Sequence, residues 1–141
     1  MKPFLFLDVD GVLNTRESFK RGEELDDMCC RRLRRIIADA DPEVVLSSTW
    51  RLYPPHAKRV WKIIGKRCKA TPDGRAGRGE QIAAFLVDFP GRPYVILDDD
   101  VFDLLPEQAP FIVQTVSEEG LTDKKADEIL RLFDSFKGID K

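Results

Sequence analysis

The 141-residue sequence predicts an α/β fold, a single Rossmann-like domain with a mainly parallel sheet of about five strands and helices on both faces, on three observations. Short continuous apolar runs alternate with stretches of helical periodicity along the whole chain. Three of those runs end in clusters of polar, potentially reactive residues. A composition of 43% hydrophobic and 34% charged residues supports one core and leaves little room for a second domain or a long disordered tail.

Phe4-Leu5-Phe6-Leu7 is an unbroken apolar run that stops at Asp8-Val9-Asp10-Gly11, as a buried parallel strand running into a turn does. Leu25, Cys29, Leu33, Ile36 and Ile37 then share one face of a helix from about Leu25 to Asp39. Val44-Val45-Leu46 before Ser47-Ser48-Thr49 is the second strand. Pro54-Pro55 opens a helix that runs through Val60, Trp61 and Ile64 to a stop near Gly65 to Arg67, Pro being tolerated in a first helical turn. Cys68 to Thr71 is a weak strand, and Gly79 to Asp88, with Ile82, Ala83, Phe85 and Leu86, a further helix. Tyr94-Val95-Ile96-Leu97 before Asp98-Asp99-Asp100 and then Phe111-Ile112-Val113 complete the sheet, and Thr122 to Phe136 closes the chain with Ala126, Ile129, Leu130 and Phe133 on one helical face. No repeat or linker divides residues 1–141. Right-handed crossovers would gather the three polar clusters beyond the carboxyl ends of the strands, where such sheets bind ligands.

Charge and cysteine content bound the function. The net charge of −2 argues against a strongly basic nucleic-acid binder, but its distribution is uneven: Arg51 to Arg78 holds nine basic residues and one acidic, while Asp98 to the C-terminus holds twelve acidic and five basic. No window approaches a membrane span and Asp8 interrupts the N-terminal apolar run, so an unexported, cytoplasmic protein with no membrane association is expected. Cys29, Cys30 and Cys68 form neither a disulfide framework nor a zinc pattern, which fits a reducing compartment. No obligate protein partner is evident.

Asp8 and Asp10, two apart at a strand end, point the same way because strand side chains alternate with period two. Asp98 and Asp99 end another strand. Carboxylates gathered at one sheet edge repel unless a cation sits among them, and an all-oxygen donor set suits Mg²⁺ together with phosphate oxygens.

These residues resemble four motifs of the haloacid dehalogenase superfamily of phosphatases and phosphotransferases, in order and over residues 4 to 100: Phe4 to Val12, Val44 to Ser48, Arg78, and Tyr94 to Asp99. The resemblance implies Asp8 as nucleophile, Asp10 as acid and base, Ser48 as a phosphoryl contact and Arg78 as the basic residue that neutralises phosphoryl charge. It further implies Mg²⁺ held by the Asp8 carboxylate, the Asp10 main-chain carbonyl and Asp99, with Asp98 in support. Ser48 is taken from the run Ser47-Ser48-Thr49 because the family usually places this residue one step before the residue that leads into a Trp or Arg. Arg75 competes with Arg78, and Asp100 leaves the metal-ligand register open by one.

Too few residues separate the motifs for a large cap domain, so an open site is expected, one that relies on a large substrate to exclude water. Lys58, Lys62 and Lys66 recur at i, i+4 and i+8 on a helix near the rim. With Ser47, Thr49, Arg51 and Arg75, Lys58 and Lys62 are candidate substrate contacts, although a solvated helix face is the commoner meaning of such a stripe. Leu46 to Arg51 and Gly120-Leu121-Thr122 further resemble the haloacid-dehalogenase-type domains of Swiss Army knife RNA repair proteins, which implies phosphorylated nucleic-acid ends as substrate. The alternatives are a small-molecule or nucleotide phosphatase and a non-catalytic module that holds a phosphate or a partner. A phospho-acceptor signalling domain is disfavoured because its acidic pair follows the first strand, whereas here the pair comes late.

Overall fold

The structure, a computed structural model, describes residues 1–74 and 76–137. Five parallel strands, β1 (Phe4–Leu7), β2 (Glu43–Leu46), β3 (Lys69–Ala70), β4 (Tyr94–Asp98) and β5 (Ile112–Gln114), form one sheet in the order β3-β2-β1-β4-β5. The helices are α1 (Arg16–Lys20), α2 (Asp27–Ala40), α3 (Pro54–Ile64), α4 (Arg78–Leu86) and α5 (Asp123–Phe136). The expected α/β architecture is therefore present, with the weak strand real but only two residues long.

The continuous apolar strands follow from cover on both faces. Leu5, Leu7, Val44, Leu46, Val95 and Leu97 point to one side and pack with α2, α3 and α5. Phe4, Phe6, Val45 and Ile96 point to the other and pack with Ile82 and Phe85 of α4, where Phe85 meets the rings of Phe4 and Phe6 edge-on at 5.2 and 5.6 Å.

Periodicity alone does not reveal three short elements. α1 is one turn long and rests on a capping box in which the Thr15 hydroxyl accepts from Ser18 N and the Ser18 hydroxyl from Thr15 N. Two 3-10 turns span Thr49–Leu52 and Pro106–Phe111. Only α1 lies between the end of β1 and α2, and only a 3-10 turn, α3 and β3 lie between β2 and α4, so no cap domain is inserted at either place among the described residues.

Register is what positions the site. Leu7 pairs with Leu46 and with Leu97, Leu46 pairs with Ala70, and Asp98 pairs with Gln114. The ladder continues one step past the apolar residues through Asp8 N to Leu97 O (3.0 Å), Ser47 N to Leu7 O (3.0 Å) and Thr71 N to Leu46 O (3.1 Å). Thr71, Ser47, Asp8, Asp98 and Gln114 thus form one polar row across the carboxyl end of the sheet.

Helix α2 begins at Asp26, whose carboxylate accepts from Cys29 N at 2.9 Å. Burial pushes this carboxyl up, but the hydrogen bonds to Cys29 and the Arg21 guanidinium outweigh it and hold the group below its ordinary value. A depressed pKa contributes stability that is present above the unfolded value and lost as pH falls through the folded one. Asp26→Ala is expected to cost about 1 kcal/mol at neutral pH in urea unfolding, with the gap to wild type narrowing as pH falls below about 4.

Candidate active site

Asp8 extends the face of Phe4 and Phe6, so its carboxylate stands on the α4 side of the sheet. Helix α4 packs on that face through Ile82, which brings its first residue, Arg78, to the strand ends. Arg78 Nη1 lies 2.8 Å from Asp98 Oδ2 and 3.2 Å from Asp8 Oδ1. The start of α4 is pinned by the loop after β4: Arg78 N donates to Asp103 Oδ2 at 2.9 Å and Gly79 N to Asp103 O at 3.1 Å. Gly79 is required for this approach, since a Cβ there would lie 2.7 Å from Leu105 N.

The carboxylates of Asp8, Asp98 and Asp99 each place an oxygen within 4.8 Å of the others, with Asp8 and Asp98 buried. Burial and then the adjacent Asp98 push Asp8 up to about 9, against the pull of Arg78. Burial raises Asp98 as well, with Arg78 again opposing. One guanidinium therefore leaves two neighbouring buried carboxyls short of positive charge, and this all-oxygen donor set fits a hard divalent cation. Asp100 lies outside the cluster, exposed, with its carboxylate accepting from Phe102 N at 3.0 Å.

Asp10 is exposed and is not a member of that cluster. Asn14 Nδ2 (3.0 Å) and Trp50 Nε1 (3.2 Å) both donate to its Oδ1. The fully buried Asn14 also accepts from Gly11 N and donates to Glu24 O, so it ties the turn after Asp8 to the segment between α1 and α2. Sequence reasoning missed Asn14; the signal available was Asn four residues after Asp10, weak by itself.

The hydroxyl run divides by position. Ser48 Oγ accepts from Trp50 N at 3.1 Å and so caps the 3-10 turn, while Thr49 is exposed. Ser47 sits beside Asp8 in the polar row, and its buried Oγ has no hydrogen-bond partner among the described residues. The next member of the row, Thr71, has a buried and equally unpartnered Oγ1. Arg51 lies behind them, donating to Ser48 O (3.0 Å), Thr71 O (3.0 Å) and Gln81 Oε1 (3.2 Å). Lys58 and Lys62 are exposed on α3, and Arg75 lies outside the described residues. Burial pushes the thiols of Cys29, Cys30 and Cys68 up to about 12, 11 and 11, which removes them as nucleophiles at neutral pH.

An acidic cluster with a half-buried arginine, at the carboxyl ends of an all-parallel sheet ordered β3-β2-β1-β4-β5, defines a haloacid dehalogenase-type hydrolase domain. Residues 4–126 match the family model for the HAD domain in Swiss Army Knife RNA repair proteins, and the chain belongs to that family. No curated protein and no solved structure matches it.

Gly11 carries the tightest constraint in the site. Its φ of +80° disfavours any side chain, and a Cβ would fall 2.2 Å from Asp99 Oδ2. Gly22, at φ +78° with open space around it, isolates the backbone term. Urea unfolding of Gly22→Ala is expected to show a loss of about 1 kcal/mol, and Gly11→Ala a clearly larger one from the added displacement of Asp99.

Proposed function

We propose that this domain is a Mg²⁺-dependent phosphohydrolase that works through an aspartyl-phosphate on Asp8 and removes terminal phosphate from nucleic-acid ends. The observation that carries this reading is the Asp8, Asp98 and Asp99 cluster under Arg78, in a chain of the RNA-repair HAD family. Mg²⁺ would be held by Asp8, Asp99 and the Asp10 main-chain carbonyl with Asp98 in support, where it supplies positive charge that favours ionised carboxylates and offsets phosphoryl charge.

An Asp8 carboxylate oxygen attacks phosphorus, and the bond from phosphorus to the ester oxygen breaks. Asp10 gives a proton to that leaving oxygen and afterwards takes one from the water that attacks the phospho-Asp8 phosphorus, releasing inorganic phosphate and restoring the Asp8 carboxylate. The neutral donors Asn14 and Trp50 hold the Asp10 carboxylate in place through one oxygen. Arg78, fixed at the start of α4 before any substrate arrives, stabilises charge on the phosphoryl oxygens without reorganisation. Ser47 and Ser48 are both hydroxyl donors of the strand end. The unpartnered Ser47 Oγ in the row of Asp8 supports Ser47 as the stronger phosphoryl contact, whereas Ser48 keeps one lone pair on Trp50 N. Thr49, Arg51 and Arg75 are further substrate contacts by sequence.

The short connections between the motifs, with no inserted cap among the described residues, support a polymeric substrate that covers the site itself. The RNA-repair family supports the same class. Three cysteines free of disulfides fit a reducing, cytoplasmic setting, and no described helix is long and apolar enough to cross a membrane.

Phosphate release from 3′- and 5′-phosphorylated oligonucleotides, mononucleotides and sugar phosphates tests the reading. Activity is expected with an oligonucleotide and Mg²⁺, to vanish in EDTA, and to fall by a factor on the order of 10⁴ or more in Asp8→Asn. Full activity in EDTA or in Asp8→Asn would sink it. In the same assay Ser47→Ala should lose about 10²-fold in kcat and Ser48→Ala much less; the reverse order would return the phosphoryl contact to Ser48.

A further inference from the structure

Outside the catalytic row, α3, β3 and the segment between them enclose an open groove of about 1080 Å³. Its volume exceeds the roughly 300–1,000 Å³ of a cleft for one small ligand. Its walls carry Arg51, Lys58, Lys66, Arg67 and Lys69, with Lys2 at the far end, against the single acid Glu43. The floor is apolar and includes Trp61, whose ring lies 5.1 Å from the Arg67 guanidinium.

Most cations on a protein surface find acids nearby, and many here do: Arg59 pairs with Glu24, and Arg32 and Arg35 pair with acids of α5. Lys58, Lys66 and Arg67 form no ion pair among the described residues, and Lys69 shares Glu43 with Arg92. The groove therefore keeps a surplus of positive charge. It also connects to the catalytic row, because Arg51 lines its upper end and donates to the main-chain oxygens of Ser48 and Thr71.

We infer that this groove is the track for the body of a single-stranded polynucleotide whose phosphorylated end sits at Asp8, an inference that rests on the function proposed above and extends it. Lys58, Lys66, Arg67 and Lys69 contact internal phosphates, and the apolar floor at Trp61 offers a face to a base. A cationic groove with an aromatic platform is the arrangement that binds single strands with little regard to sequence. An acidic peptide would match the charge but would leave the aromatic floor without a stacking partner. Lys62, exposed on α3 but outside the groove lining, contributes less than Lys58 on the same helix and Lys66 just past its end.

The test is fluorescence anisotropy with a labelled, unphosphorylated single strand about 12 nucleotides long, within the span of such sites. This probe reports the groove without needing catalysis. The Lys58→Ala/Lys66→Ala protein, altered only at exposed residues and checked for folding by circular dichroism, is expected to bind about tenfold more weakly than wild type. Its plot of log affinity against log salt should be shallower by about 1.4, or about 0.7 for each of two lost phosphate contacts. Lys124→Ala, an exposed lysine on α5, should bind as wild type does.

Three results would overturn the groove: no binding of the strand by wild type, an equal loss in Lys124→Ala, or equal displacement of the strand by a polyglutamate peptide of matched charge. Binding with the expected pattern but no phosphate release from any strand would keep the groove and discard the end-phosphatase reading. Phosphate release from oligonucleotides with unchanged binding by the double variant would do the opposite.

Discussion

Leu7 pairs with Leu46 on one side and Leu97 on the other, and the polar row at the strand ends takes its place from that alignment. Three strands kept in step end their apolar runs together, so the first polar residue of each falls at the same height above the core. A slip of one residue in any of them would turn its side chain to the other face of the sheet. Asp8 would then point toward the α2, α3 and α5 side, away from Arg78. The alternation of Phe4 and Phe6 with Leu5 and Leu7 opposes such a slip, because it would exchange the two sets of core contacts. Packing in the interior and chemistry at the edge are thus fixed by the same pairing.

Electrostatics in the site depend on how much charge is buried and how little opposes it. Asp8 and Asp98 are both withdrawn from water, and the one guanidinium that reaches them comes from the first turn of a helix anchored by Asp103. Burial raises the hold of both acids on their protons and Asp98 adds to it at Asp8, an arrangement whose cost is relieved by a cation. Asp10 is treated differently, since it is exposed and held by an amide and an indole, neither of which carries charge. Two aspartates two residues apart thus occupy environments suited to different work.

The strands, α2 to α5 and the acidic strand ends were legible because each rests on a local signal: an apolar run, a helical stripe, or a cluster of carboxylates beside it. Asp8 and Asp98 follow from strand alternation and in-step pairing, whereas Asp99, one residue past the end of β4, joins them through the course of the following loop. The choice among Ser47, Ser48 and Thr49 did not, because it turns on which residue continues the β2 ladder and which caps the following turn, and that turn is too short to leave a periodicity. Asn14 was missed for a related reason: its bonds to Asp10, Gly11 and Glu24 knit together a loop whose path no pattern of hydrophobicity records. Lys58, Lys62 and Lys66 are equally spaced in sequence, yet α3 ends at Ile64 with Gly65 in the left-handed conformation, so Lys66 lies past the helix and, unlike Lys62, lines the groove with Lys58.

The sheet ends in strands of two and three residues, β3 and β5. Such short edges present few free amide and carbonyl groups, and β3 carries a lysine at its start, so another chain gains little by zipping onto either side. The domain is in this way guarded against edge-to-edge aggregation, a hazard that an all-parallel sheet of long strands would bring. The same brevity leaves no template for an added peptide strand, so whatever settles along the β3 margin must be gripped by side chains rather than by the backbone.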